Sequence, residues 1–182
     1  MLRKLIIGRT ITPRHAVRKL WNEAAARKAC RANGEQSFIC STEDTIGRRN
    51  LTLAEHYSVA ARSQNKTRRR GKDLPWTIEL AKGMKVLVTD NVETDLDVTN
   101  GARGEIVDIV LHPDEPPITN DPIVKLKYLP SYILVKLSRT RVSKLSGLED
   151  SVIPVEPRIS SMQIKVKTDR GKTVTRTVTR KQ

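Results

Sequence analysis

Apolar and polar positions alternate most regularly in the middle of the chain. From Met84 to Thr89, Val86 and Val88 alternate with Lys85, and from Glu105 to Leu111 the residues Val107, Ile109 and Leu111 recur at every second position. Both runs predict half-buried strands. Between them, Asn100-Gly101 tolerates positive φ, and Gly104 suits a bulge or a close backbone approach. Strands curled this tightly fit a small SH3-like barrel, and equally an ordinary hairpin in any mixed domain.

Upstream, Leu5-Ile6-Ile7 with Ile11 reads as a short strand, followed by Thr12 as an N-cap and Pro13 at the first helical position. Val17, Leu20, Trp21 and Ala24 fall at helical spacing, and Gly34 is the expected stop. Phe38-Ile39-Cys40 predicts another strand and Ser41 to Asp44 a turn. Leu51 to Arg62 predicts a second helix with Leu53, Tyr57, Ala60 and Ala61 inward, capped by Thr52 with Glu55 three residues on. Ser63 to Lys72 holds no apolar residue and reads as a flexible loop.

Downstream, His112 to Pro122 contains four prolines and three acids, the composition of an exposed loop. Strands resume with Val124, Leu126 and Tyr128, and again with Ile133, Val135 and Leu137. Glu149 to Pro157 reads as a second proline-punctuated loop. A last hairpin runs from Met162, Ile164 and Val166 through Asp169-Arg170-Gly171 to Val174 and Val178, its outer face almost wholly Lys, Arg and Thr.

Composition adds a partner class. The 182 residues carry a formal net charge of +14, and aromatics make up only 3%, so the core is aliphatic and a polyanionic partner is expected. The charge is unevenly placed: residues 1–75 hold 17 Lys+Arg against 6 acids, residues 76–157 hold 9 against 13, and residues 158–182 hold 8 against 1. Two basic arms flank an acidic middle, which favours nucleic acid. No apolar run reaches the length of a membrane span, so no membrane partner is expected.

Residues that could carry catalysis are sparse. Cys30 and Cys40 match neither metal spacing nor a disulfide framework and read as reduced bystanders. Gly171-Lys172-Thr173 imitates the end of a phosphate-binding loop, but Val166 stands where its first glycine belongs. Glu93, Asp95 and Asp97 read as a solvated acidic loop, and His15, His56 and His112 are scattered. The start of the first helix is a better site: free N–H groups there suit a phosphate, with Thr12, Arg14, His15 and Arg18 around them.

TPRHAVRKLWNEAA at Thr12–Ala25 and LAKGMKVLVTDNVETDLDVTNGARGEIVDI at Leu80–Ile109 together resemble the C-terminal half of Pif-type, RecD-like superfamily-one DNA helicases, most closely the fungal Helitron-associated members. The family's L-x-x-G-x-x-V strand followed by N-G-x-x-G is matched by Leu80, Gly83, Val86, Asn100, Gly101 and Gly104. The resemblance implies an α/β (α+β) fold: residues 1–75 as part of the second RecA-like domain, 76–157 as an inserted SH3-like β subdomain, and 158–182 as a basic hairpin returning toward the RecA-like part. It further implies single-stranded DNA as partner and a nuclear or mitochondrial role in DNA repair and telomere maintenance. The nucleic-acid-binding residues would be Thr12, Arg14, His15, Arg18, Asn100, Arg103, Lys165 and Lys167.

The same family uses ATP and magnesium, yet its Walker lysine and acids and its S-Q-G-x-T run have no counterpart in these residues. No cofactor is therefore expected on this chain, which reads as a helicase fragment unable to hydrolyse ATP or unwind DNA alone. Two other classes fit parts of the pattern. One is a stand-alone SH3-like nucleic-acid-binding module of ribosomal or transcription-factor type, and the other is a protein-interaction domain with acidic partners.

Overall fold

The computed structural model describes residues 5–7, 24, 27, 30, 34–64, 76–88, 95, 97–141, 144–167 and 171–182. The protein is a mixed α+β molecule, mostly sheet, and it divides into two units that interleave in sequence. Residues 1–41 and 77–157 form unit 1, and residues 42–76 and 158–182 form unit 2.

Unit 1 contains a five-stranded antiparallel sheet in the order β1 (Leu5–Ile7), β6 (Lys85–Val88), β7 (Arg103–Val110), β9 (Tyr132–Leu137) and β10 (Val152–Val155). It also holds a three-stranded sheet, with β2 (Ser37–Ser41) between β5 (Thr77–Ala81) and β8 (Ile123–Lys125). One aliphatic core joins them: Cys40 and Leu80 from the smaller sheet pack with Val86, Val88, Ile106 and Val135 from the larger. Burying each such side chain contributes about 1.5–3 kcal/mol.

The central hairpin has the alternation expected of β6, with Val86 and Val88 buried and Lys85 exposed. In β7 the predicted face is corrected. The register jumps between Ile106 and Asp108, leaving Val107 as an extra, exposed residue, so Ile106 and Ile109 both reach the core. Gly104 sits where a Cβ would lie 2.7 Å from Val135 Cγ1 and 2.8 Å from the Lys136 carbonyl, a close backbone approach that excludes side chains. At the turn, the Ala102 amide donates to the Thr99 carbonyl at 3.0 Å and Gly101 takes φ 97°, the left-handed position that glycine supplies.

Ala24, Arg27 and Cys30 are helical. Glu35 N–H donates to the Cys30 carbonyl at 3.0 Å, and Gly34 has φ 68°, which is the cap expected at Gly34. One loop and one strand expectation are corrected in part. Within 149–157, Val152–Val155 is a strand, and its Pro154 is tolerated because β10 is the edge of its sheet. The run from Val124 to Tyr128 is strand only over Ile123–Lys125, and it pairs in parallel with β2. His112 to Pro122 is irregular, as its prolines dictate, and the Glu115 carboxylate accepts from the amides of Lys127 and Tyr128 at 2.7 and 2.8 Å.

Unit 2 is a four-stranded antiparallel sheet in the order β11 (Ile159–Lys167), β12 (Thr173–Lys181), β3 (Glu43–Ile46) and β4 (Arg49–Asn50), with helix α1 (Leu53–Gln64) packed on it. Glu43 to Ile46 form a strand where a turn was expected over Ser41–Asp44, because Asp44 has a buried partner and Glu43–Thr45 pair with Thr179–Lys181. The capping box is present: Thr52 N–H donates to Glu55 Oε2 at 2.8 Å, and Glu55 N–H to Thr52 Oγ1 at 3.4 Å.

The expected inner face of this helix is wrong. Leu53 and Tyr57 are 73% and 68% exposed, while Glu55 and Val59 are buried. Arg49 satisfies Glu55, and that ion pair turns the helix so that Val59 meets Leu51, Met162, Ile164 and Val178. The Ser63–Lys72 loop lies outside the described residues beyond Gln64, as does the 8–23 region that held the first helix start.

Candidate nucleic-acid interface

Charge is distributed unevenly between the two units. Unit 2 carries 16 Lys+Arg against 5 Asp+Glu, a net of +11, whereas the larger unit 1 carries 18 against 15, a net of +3. The positive field that would attract a polyanion therefore belongs mainly to unit 2.

In unit 1, Asn100 occupies the Thr99–Ala102 turn and Arg103 begins β7, opposite Leu87. Arg103 is exposed, but its surroundings are charge-balanced. Lys85 and Lys136 flank Glu105 across three strands, and Lys136 also reaches Glu149 at 3.2 Å. Arg141 pairs with Asp97 at 3.3 Å, and Lys82 with Asp108 at 2.7 Å. The Lys82–Asp108 hydrogen bond holds the Asp108 carboxyl below and the Lys82 ammonium above their ordinary ranges, so both stay charged. Asp97 thus has a cationic partner, which a purely solvated acidic loop would not supply; Glu93 lies outside the described residues.

In unit 2, the hairpin register puts Lys165 opposite Thr175 and Lys167 opposite Thr173. Both lysines point outward with the threonines, while Met162, Ile164 and Val178 point to the core. Two basic residues of the hairpin do not join that face: Arg176 pairs with Ile164, and Arg180 is buried against Asp44. Gly171-Lys172-Thr173 runs into β12, a strand rather than the helix that follows a phosphate-binding loop.

The structure brings Lys165 and Lys167 together on one face, and Asn100 and Arg103 together at one end of β7. Thr12, Arg14, His15 and Arg18 lie outside the described residues. The sequence reading missed the threonines as a row: Thr173, Thr175, Thr177 and Thr179 alternate strictly with residues of the other face. That period of two is visible in the sequence.

The cysteines are chemically quiet. Burial pushes the Cys40 thiol up to about 12, with the Glu115 carboxylate adding to the effect, and burial followed by Glu79 raises Cys30. Both are free and buried. Among the described residues no group of three or more His, Cys, Asp or Glu could hold a metal ion, and no helix is long and apolar enough to cross a membrane. Comparison with known protein families, characterised proteins and solved structures finds no match to this chain.

Proposed function

We propose that this chain serves as a single-stranded DNA-binding part of a Pif-type superfamily-one helicase, with no ATP hydrolysis or unwinding of its own. The observation that carries the reading is the segregation of charge: +11 of the +14 resides in the 60 residues of unit 2. Such a field supports ionic, sequence-blind binding to phosphates.

The family pattern gains a physical account. Leu80 and Val86 are core residues, and Gly83 has φ 77° with its amide on the Ile106 carbonyl. Gly101 makes the turn and Gly104 the close approach. These demands are those of a tightly curled β-meander, which supports reading residues 76–157 as the SH3-like insert. The near-balanced charge of unit 1 argues against a stand-alone SH3-like module as the binding element.

Competition separates the classes. A labelled single-stranded oligodeoxynucleotide bound to the chain is challenged with unlabelled single strand, structured RNA and an acidic polypeptide. Single-stranded DNA should compete best; displacement by the acidic polypeptide at equal charge would favour a protein-interaction domain, and preference for structured RNA the ribosomal type of module.

A further inference from the structure

The β11–β12 ribbon has two faces of opposite character. On one side Met162, Ile164, Val166 and Val178 pack into the core, and Val174, Arg176 and the buried Arg180 share that side. The other set presents Thr173, Thr175, Thr177 and Thr179 along β12, with Lys167 and Lys165 directly across from the first two. Neither strand contains an Asp or Glu; among the described residues of this sheet face the nearest is Glu43, opposite Lys181 at the far end, and Asp169 of the connecting turn lies outside the described residues. Only Thr179–Lys181 of β12 pair with β3, so among the described residues the Lys165–Lys167 and Thr173–Thr177 stretch has no third strand beside it.

We propose that this face is a track for the phosphodiester backbone of one extended strand of DNA, with threonine hydroxyls donating to successive phosphates and the lysine row neutralising them. The inference rests on the single-strand reading above and narrows it to one surface. Same-face residues on a strand repeat every ~7 Å, close to the separation of neighbouring phosphates in an extended single strand. The two rows lie ~5 Å apart, so a phosphate over the Thr175 hydroxyl is within reach of Lys165. β-Branched threonines are stiff about χ1, and their hydroxyls are set in place before the ligand arrives. Neither strand carries an aromatic residue, so the track reads phosphate and not base. A straight row suits an extended strand better than the helical path of phosphates on a duplex.

The test uses the full chain and a fluorescein-labelled oligo-dT, followed by anisotropy across a salt series. Three variants are compared with wild type: Lys165→Gln/Lys167→Gln, Thr173→Val/Thr175→Val/Thr177→Val, and a control at two exposed unit 1 lysines, Lys125→Gln/Lys144→Gln. The lysine variant should bind several-fold more weakly, with the slope of log K against log salt reduced by about 1.4, two phosphates at ~0.7 each. The valine variant should also bind several-fold more weakly but keep the wild-type slope, because hydroxyls release no counterions. The control should match wild type, oligo-U should bind about as well as oligo-dT, and a duplex of equal length should bind more weakly. Valine preserves strand propensity, and thermal unfolding by circular dichroism verifies each fold. Wild-type binding with both ribbon variants indistinguishable from the control, or equal affinity for duplex, overturns the track while leaving the single-strand reading standing. Failure of wild type to bind at low salt overturns both.

Discussion

Asp44 and Arg180 meet in the interior of unit 2: Arg180 Nε donates to Asp44 Oδ1 and Nη2 to Oδ2, each at 2.7 Å, with both side chains 3% exposed. Trp76 lies over the guanidinium, 4.4 Å from its ring centroid. Three segments far apart in sequence are thereby fixed at one point. Removing one partner leaves a buried charge uncompensated, so Asp44→Ala should cost about 3–5 kcal/mol, read from urea midpoints. Replacing both, as Asp44→Leu with Arg180→Met, should cost less than Asp44→Ala alone. Equal or larger loss in the double variant would contradict the assignment of the cost to an orphaned charge.

Glu55 gives a pH signature. Hydrogen bonds from Arg49, and then from Thr52, hold its carboxyl at about 2, below the ordinary 4.5. A carboxylate depressed in the folded state stabilises the fold fully above its unfolded value and loses that contribution as pH falls through 4.5 toward 2. The stability difference between wild type and Glu55→Gln should therefore be constant above pH 4.5 and shrink steadily below it. A difference unchanged down to the folded value would refute the link.

Two glycines of one hairpin should fail for different reasons. Gly104→Ala drives a Cβ against Val135 and the Lys136 carbonyl and should cost about 1–3 kcal/mol through overpacking. Gly101→Ala meets open space, and its cost of about 1–2 kcal/mol comes from the left-handed backbone at φ 97°. Gly101→Asn should recover part of the second loss; an asparagine at Gly104 should recover none of the first.

Cys40, with its thiol raised to about 12, should resist aromatic disulfide reagents at pH 8 until the protein unfolds. Labelling rates that follow urea-induced unfolding are expected. Rapid labelling of Cys40 in the native protein would contradict its burial.

Much of this architecture was legible wherever one local rule acted alone. Val86 and Val88 announced their strand, Gly34 its helix stop, and Thr52 with Glu55 the cap. Tertiary partners overrode the pattern elsewhere. Leu53 and Tyr57 outscore Glu55 in hydrophobicity, yet Glu55 goes inside because Arg49 neutralises it. Asp44 looks like a turn residue until Arg180, 136 positions away, supplies its partner. Val107 looked inward because an extra residue in β7 leaves no mark on a period of two. For the interface, the basic arms could be counted from sequence, but their sharing out between two interleaved units could not, since residues 1–41 and 42–76 go to different units.

The most direct test of single-strand DNA binding through the basic unit is the affinity of the full chain for oligo-dT as salt is raised. The account predicts binding at low salt and a linear fall of log K with log salt, at ~0.7 per phosphate neutralised. Affinity that is independent of salt, or no binding at low salt, would contradict it.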